Sequence, residues 1–259
     1  MRGLFISRIM GYLLIVILIL LWEYASRSGA VSPRYFPAPT VVLLRLWELV
    51  RSGVLIEQYA ATFSRLIGGY LLAILIAVPL GVLMGHYRPV FNLLSPTVEL
   101  LRPAPSIALI PPLILIFGLG TPMIVVVVCW GCIFPILINT IEGVRSIDRT
   151  LIDTGRTFRL SQRDVLRKLV LPAVAPYAET GLRVSLALGL ILVVVLEMLA
   201  AQNGIGDFLL LMRNSIRPAD MFAAVISLGI VGYLLNALFV RLGGVGLRWH
   251  REMTSKSVQ

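Results

Sequence analysis

The sequence predicts an all-α membrane protein with about six transmembrane helices. Three observations carry that expectation. Of the 259 residues, 58% are hydrophobic and only 14% charged, whereas a soluble domain carries about 25% charged residues. The mean hydropathy is +0.91, and no single core absorbs that excess, so lipid is the solvent the composition asks for. The apolar residues fall in charge-free runs near the ~20 residues that a crossing helix needs. The basic residues behind the net charge of +10 collect at the edges of those runs, which argues against nucleic acid as the reason for the charge.

In chain order, the first run is Ile9–Trp22, extendable to Ser26. It follows Arg2 and Arg8 without a small-residue cleavage pattern and reads as a retained span. Pro39 to Ser52 reads as an amphipathic surface helix, with Thr40 as its cap and Val42, Leu43, Leu46, Leu49 and Val50 at helical spacing. Leu66–Gly85 is the second span. The charge-free stretch Pro103–Ile141 holds 39 residues, too many for one crossing. Gly118-Leu119-Gly120-Thr121-Pro122 breaks it at a turn signal, giving a third span from near Val90 and a fourth to Ile141. Val184–Leu196 and Met221–Val240 are the fifth and sixth. With the N-terminus cytoplasmic, fourteen Lys and Arg lie in inside segments against six outside. The positive-inside rule therefore places both termini and the loop after residue 142 in the cytoplasm. The parts are residues 1–60 (first span and external helix), 61–250 (five-span core with a loop at about 145–172) and a cytoplasmic tail 251–259.

That loop is the most informative region. Asp148 is a good N-cap for a short helix with Leu151, Ile152, Gly155 and Phe158 on one face. Ser161-Gln162-Arg163-Asp164 is a capping signal for a second helix carrying Val165, Leu166, Leu169 and Val170, and Pro172 stands where that helix should end. The joint falls at Arg159-Leu160. The opposite faces carry Arg145, Arg149, Arg156, Arg159, Arg163, Arg167 and Lys168. Two readings stay open on physics alone: contact with anionic headgroups, or docking of a cytoplasmic partner, with small Thr154 and Gly155 allowing close approach.

Asp153-Thr154-Gly155-Arg156-Thr157-Phe158-Arg159-Leu160-Ser161 followed by Val170-Leu171-Pro172 resembles the EAA loop of type I ABC-importer permeases. Asp153 stands for the acidic residue, Thr154 and Gly155 for the small pair, and Leu171-Pro172 for the ending. Arg159 departs from the family's usual glycine. Phe36-Pro37-Ala38-Pro39-Thr40, Leu101-Arg102-Pro103-Ala104-Pro105, Ile110-Pro111-Pro112, Phe134-Pro135-Ile136-Leu137-Ile138-Asn139-Thr140 and Asn203-Gly204-Ile205-Gly206 resemble the nitrate/sulfonate/taurine-type branch. The resemblance covers most of residues 30–250. It implies the type I permease fold, a translocation pathway for a small solute such as a sulfonate, taurine or nitrate, and a bacterial cytoplasmic (inner) membrane. It also implies a homodimer, separate ABC ATPase subunits and an external or periplasmic binding protein. Asp153, Thr154, Gly155, Phe158, Arg159, Leu171 and Pro172 would couple to the ATPase.

No Gly-x-x-x-x-Gly-Lys-Ser/Thr loop occurs, and the two lysines, Lys168 and Lys256, follow no glycine-rich turn. The chain is therefore not expected to hydrolyse ATP; ATP and Mg belong on the partner, and no cofactor or metal on this chain. Charges within spans are costly and mark candidates for the pathway. Glu99 with Arg102, and Glu179 with Arg183, are spaced to neutralise each other on a helix; otherwise they line the pathway. Glu197 lines the outer mouth or satisfies the irregular turn at Asn203-Gly204. Pro103 and Pro105 expose backbone groups that need protein or water around them. The seven pathway candidates are Glu99, Arg102, Pro103, Pro105, Arg183, Glu197 and Asn203. Cys129-Trp130-Gly131-Cys132 has metal-site spacing, but its aliphatic surroundings favour packing. A self-contained secondary transporter would show an internal repeat and midplane polar groups, and a membrane-embedded enzyme would need clustered catalytic groups. Neither pattern is present in the sequence.

Overall fold

A computed structural model describes residues 2–246, apart from the side chains of residues 2–9, 11, 12, 149, 152, 156, 162 and 244–246. The predicted tail 251–259, with Arg251 and Lys256, lies outside the described residues, as do Arg248 and His250. The helices are α1 (Arg2–Arg27), α2 (Pro39–Arg51), α3 (Val54–His86), α4 (Arg88–Leu101), α5 (Ile110–Phe117) and α6 (Thr121–Arg145), then α7 (Arg149–Thr157), α8 (Gln162–Val165), α9 (Leu171–Ala200), α10 (Ile205–Asn214) and α11 (Pro218–Gly246). Among the described residues, four helical segments are long and apolar enough to cross a membrane: 54–86, 121–145, 163–200 and 218–243. The pair α4 and 106–117 passes the same test only together, bent by 88°. The predicted third span is therefore not one straight helix. Pro103 and Pro105 bring no N–H to a ladder, and only short bonds, such as Ala104 N–H to Leu101 C=O at 3.1 Å, continue past the end of α4.

The core is the trio α3, α6 and α9. Small residues let the first two approach closely: a Cβ at Gly69 would lie 2.7 Å from Val128, and one at Gly81 2.7 Å from Thr140. In lipid there is little hydrophobic force between helices, so such close packing is what holds them together. Cys129 and Cys132 are buried in this core, where Cys132 Sγ lies 3.3 Å from Ser185 C=O and Ser185 Oγ donates to Cys132 C=O at 2.9 Å.

Helix α1 stands apart, with Leu13 to Leu21 exposed along its length, as a lipid-facing helix should be. Its end is fastened by Trp22, whose ring lies 5.1 Å from Phe36 and 5.7 Å from Phe222. Thr40 does not cap α2. Pro39 sets the first turn one residue earlier, after Ala38. The Thr40 N–H is instead taken by the Glu23 carboxylate of α1 at 3.1 Å, an anion at a helix N-terminus. The other face of α2 buries Val42 and packs on α11, clasped by Arg45 to Asp220 at 3.3 Å.

Candidate functional site

The loop between α6 and α9 folds as two short helices in contact. Asp148 Oδ1 accepts the Thr150 N–H at 2.9 Å, capping α7. That bond holds the Asp148 carboxyl below the ordinary aspartate range. At the far end the Leu160 N–H reaches back to Gly155 C=O at 3.1 Å, and Arg159 takes the left-handed conformation with φ 54°. This is a Schellman ending made with arginine where glycine is the easy residue. Ser161 Oγ then accepts the Asp164 N–H at 3.2 Å and donates to the Asp164 carboxylate at 2.6 Å, starting α8.

Three expectations for the loop change. First, Gly155 is buried, and a Cβ there would lie 2.8 Å from Leu169 Cδ1. Its smallness serves the packing of the two loop helices on each other, not the approach of an outside surface. Second, the predicted face is not uniform: Phe158 is 76% exposed and Leu151 is exposed too, while the Ile152 side chain lies outside the described residues. Third, Pro172 does not end the second helix. A π turn at Leu166–Val170, closed by Leu171 N–H to Leu166 C=O, carries the chain into α9, so 163–200 is one continuous helix of 38 residues. The wider turn accommodates a residue that has no N–H and whose ring crowds the carbonyl a turn back. Asp153, Thr154 and Arg159 are exposed, as is Leu171, and Pro172 is half-buried.

The intramembrane charges do not pair as their spacing suggests. Among the described residues no ion pair joins Glu99 to Arg102 or Glu179 to Arg183. Helix α11 takes both members of the second pair: Arg183 Nε donates to Asn236 Oδ1 at 2.9 Å, and Glu179 lies over Gly243. Glu99 and Arg102 are exposed and open, with Glu142 and Arg145, into a cleft of about 210 Å³. An i,i+3 attraction of roughly 0.2–0.5 kcal/mol is too weak to hold two solvated side chains together. Arg145 instead stacks on Phe91, 3.4 Å from its centroid. Pro103 and Pro105 form the exposed bend between α4 and the turn before α5.

Glu197, 1% exposed, takes the second of its two open roles and satisfies the turn. Its carboxylate accepts from Arg65 Nη1 at 2.6 Å, Thr62 Oγ1 at 2.9 Å and the Gly206 N–H at 3.1 Å. Arg65 also donates to Asn203 C=O at 2.8 Å, to the Asn203 side-chain oxygen and to Thr121 Oγ1 at 3.1 Å. A fully bonded pair thus ties α3, the start of α6 and the end of α9 to the 201–204 turn. Asn203 is held at the rim of a cleft lined also by Gly120, Thr121 and Gln202. The sequence reading did not join Arg65 to Glu197, which are 132 residues apart. Their signal was two opposite charges at the same depth of neighbouring spans.

Against known proteins, residues 77–245 match the family model described as "Binding-protein-dependent transport system inner membrane component". A nitrate import permease protein of Leptolyngbya laminosa is 35% identical over 209 residues, which cover 77% of this chain and 75% of that one. The taurine transport system permease protein of Escherichia coli is 27% identical over 244 residues, 92% of this chain and 89% of its own. Among solved structures, the inward-facing MetNI methionine ABC transporter superposes with a TM-score of 0.63 at 19% identity, covering 74% of this chain and 95% of its own. The last of these is a likeness of fold.

Proposed function

The chain belongs to the family of binding-protein-dependent transport system inner membrane components, and from that premise we propose how its parts divide the work. It is the multi-pass permease subunit of an ABC importer; ATPase subunits and a binding protein are the partners that such a subunit implies. Two copies form the pathway as a homodimer, in a bacterial inner membrane with both termini cytoplasmic. ATP and Mg are bound and used on the separate ATPase, and the cargo is a small oxyanion, in keeping with the nitrate and taurine permeases among its relatives. The pathway runs past the bend at Pro103 and Pro105, with Glu99, Arg102 and Arg183 on its inner stretch and Asn203 at its outer rim. Glu197 acts there through the turn it holds.

The single observation that carries this reading is the family match, which spans the whole loop. Asp153, Thr154, Phe158, Arg159 and Leu171 form the exposed docking face, with Gly155 beneath it. Phe158, 76% exposed, is the anchor that enters a groove of the ATPase; truncating an aromatic hot spot costs about 2 kcal/mol or more, a roughly thirtyfold loss of affinity. Closure of the ATPases brings the two loops together. Because α8, the π turn and α9 form one helix, displacement of the loop moves α9 with it.

The test is co-purification from native membranes in mild detergent. The parent chain is expected to bring an ATP-binding subunit with it, and Phe158→Asp, inserted at the normal level, is expected to lose it. Absence of any ATPase with the parent under several mild extractions overturns the importer reading. Retention by Phe158→Asp removes Phe158 from the docking face.

A further inference from the structure

The groove between α9 and α11 holds charged and amide side chains at a depth where lipid cannot satisfy them. Arg183 is the thirteenth residue of the 30 in α9, and Asn236 the nineteenth of the 29 in α11. At 1.5 Å per residue Arg183 stands roughly 18 Å from one end of α9 and about 25 Å from the other. The two side chains meet at 2.9 Å, so they share that depth. They open into a groove of about 600 Å³ whose other walls include Glu179, Thr180, Val184, Ala187 and Ile191.

The bonding leaves the guanidinium ready for a ligand. Its Nε is held by Asn236, and its two terminal nitrogens have no partner among the described residues. Glu179, one turn away on the same wall, makes no ion pair with it among the described residues. Asn236 fixes the plane of the fork, so the remaining N–H groups point as a set, the geometry that binds a planar or tetrahedral oxyanion through two parallel bonds. The Thr180 hydroxyl, bonded to Pro176 C=O at 3.1 Å, lies on the same wall. The aliphatic side chains above offer contact to a short hydrocarbon body. A lipid-facing surface would instead leave a charge and an amide in hydrocarbon, which membrane proteins avoid.

We infer that Arg183, positioned by Asn236, is an oxyanion-binding subsite of the translocation pathway, and that the adjoining wall of Val184, Ala187 and Ile191 takes the short aliphatic part of an organic sulfonate or similar anion. The inference rests on the permease reading and deepens it: it locates a contact for the cargo on this chain.

The test uses the purified permease with its co-purified ATPase, so that the permease reading is checked in the same sample. Ala187→Cys provides a reporter beside Arg183; the chain's own Cys129 and Cys132 are buried, and the parent chain is the blank. Two charged thiol reagents are compared: an ethylsulfonate methanethiosulfonate and its trimethylammonium counterpart. With Arg183 present the anionic reagent is expected to be favoured. Arg183→Gln should lower its rate relative to the cationic one by about tenfold, the effect of roughly 1.4 kcal/mol of field at the site. Arg183→Lys should keep most of the preference, which separates charge from misfolding. If Ala187→Cys in an ATPase-bound complex reacts with neither charged reagent but reacts with a neutral membrane-permeant maleimide, the face is covered by lipid or protein and the inference falls while the permease reading stands. An unchanged ratio in Arg183→Gln also overturns it.

Discussion

Arg65 and Glu197 show what a buried charge requires. Each is costly alone in a membrane core, and each is held by several bonds that together leave no acceptor of the carboxylate idle. Glu197→Leu should therefore destabilise the chain by about 3–5 kcal/mol, because it strands the Arg65 guanidinium. The double variant Arg65→Met with Glu197→Leu should be less destabilised than either single change; thermal unfolding in detergent reads both, and additive losses would mean the two do not act as a pair. Arg159 presents the opposite case, a residue in a conformation it disfavours. Its left-handed φ costs roughly 1–2 kcal/mol, of which glycine's greater loss of chain entropy gives back up to about 1. Arg159→Gly should thus leave the loop as stable or slightly more so, seen as slower protease cleavage between α7 and α8, and Arg159→Val should speed it. Asp148 supplies a pH dependence. Its folded carboxyl titrates below the ordinary range, so its capping contribution is present above the unfolded pKa and disappears as pH falls through the lowered one. Protection of the Thr150 amide should drop over that acidic window in the parent and be low at every pH in Asp148→Ala.

At the scale of elements, the loop between α6 and α9 is a packed unit with an inner and an outer face. Gly155 faces Leu169, and Phe158 faces outward. Gly155→Leu should therefore separate α7 from the π turn and raise proteolysis of the loop even without a partner, while Phe158→Asp should leave the isolated loop intact and affect only docking. The continuity of 163–200 carries a second expectation. Two glycines inserted after Val170 should let ATP hydrolysis continue while uptake falls, because a flexible joint no longer carries the loop's displacement into α9. Tight coupling in that variant would show that force travels by α6 instead. The π turn was not legible in the sequence. Pro172 gives the same helix-stop signal whether the chain ends there or widens by one residue, and only packing of Val170 and Val174 into a shared apolar cluster with Val165 favours continuation.

For the whole molecule, orientation is the testable consequence of the charge bias. In intact cells an impermeant thiol reagent should label Ser52→Cys, beyond the exposed end of α2, and should reach Ser161→Cys only after the membrane is opened. The reverse pattern would invert the topology and remove the loop from the ATPase. The mode of assembly also belongs to this scale. Helix α1 touches the rest of the chain chiefly at its Trp22 end, and its exposed aliphatic length meets lipid or a second copy.

The apolar runs, their breaks at Gly118–Pro122 and the caps at Asp148 and Ser161 were determined by the sequence alone, because each depends on neighbours within a few residues: a span on length and hydropathy, a cap on one side chain and one amide. The family pattern was also legible, since the EAA-like loop and the proline-rich segments are local. What only the tertiary structure decided involves residues far apart. Glu197 finds Arg65 across 132 positions, Arg183 prefers Asn236 to the nearer Glu179, and Gly155 turns inward because Leu169 folds back over it. In each case several partners of similar chemistry compete, local spacing favours one by only a fraction of a kcal/mol, and the packing of whole helices selects another.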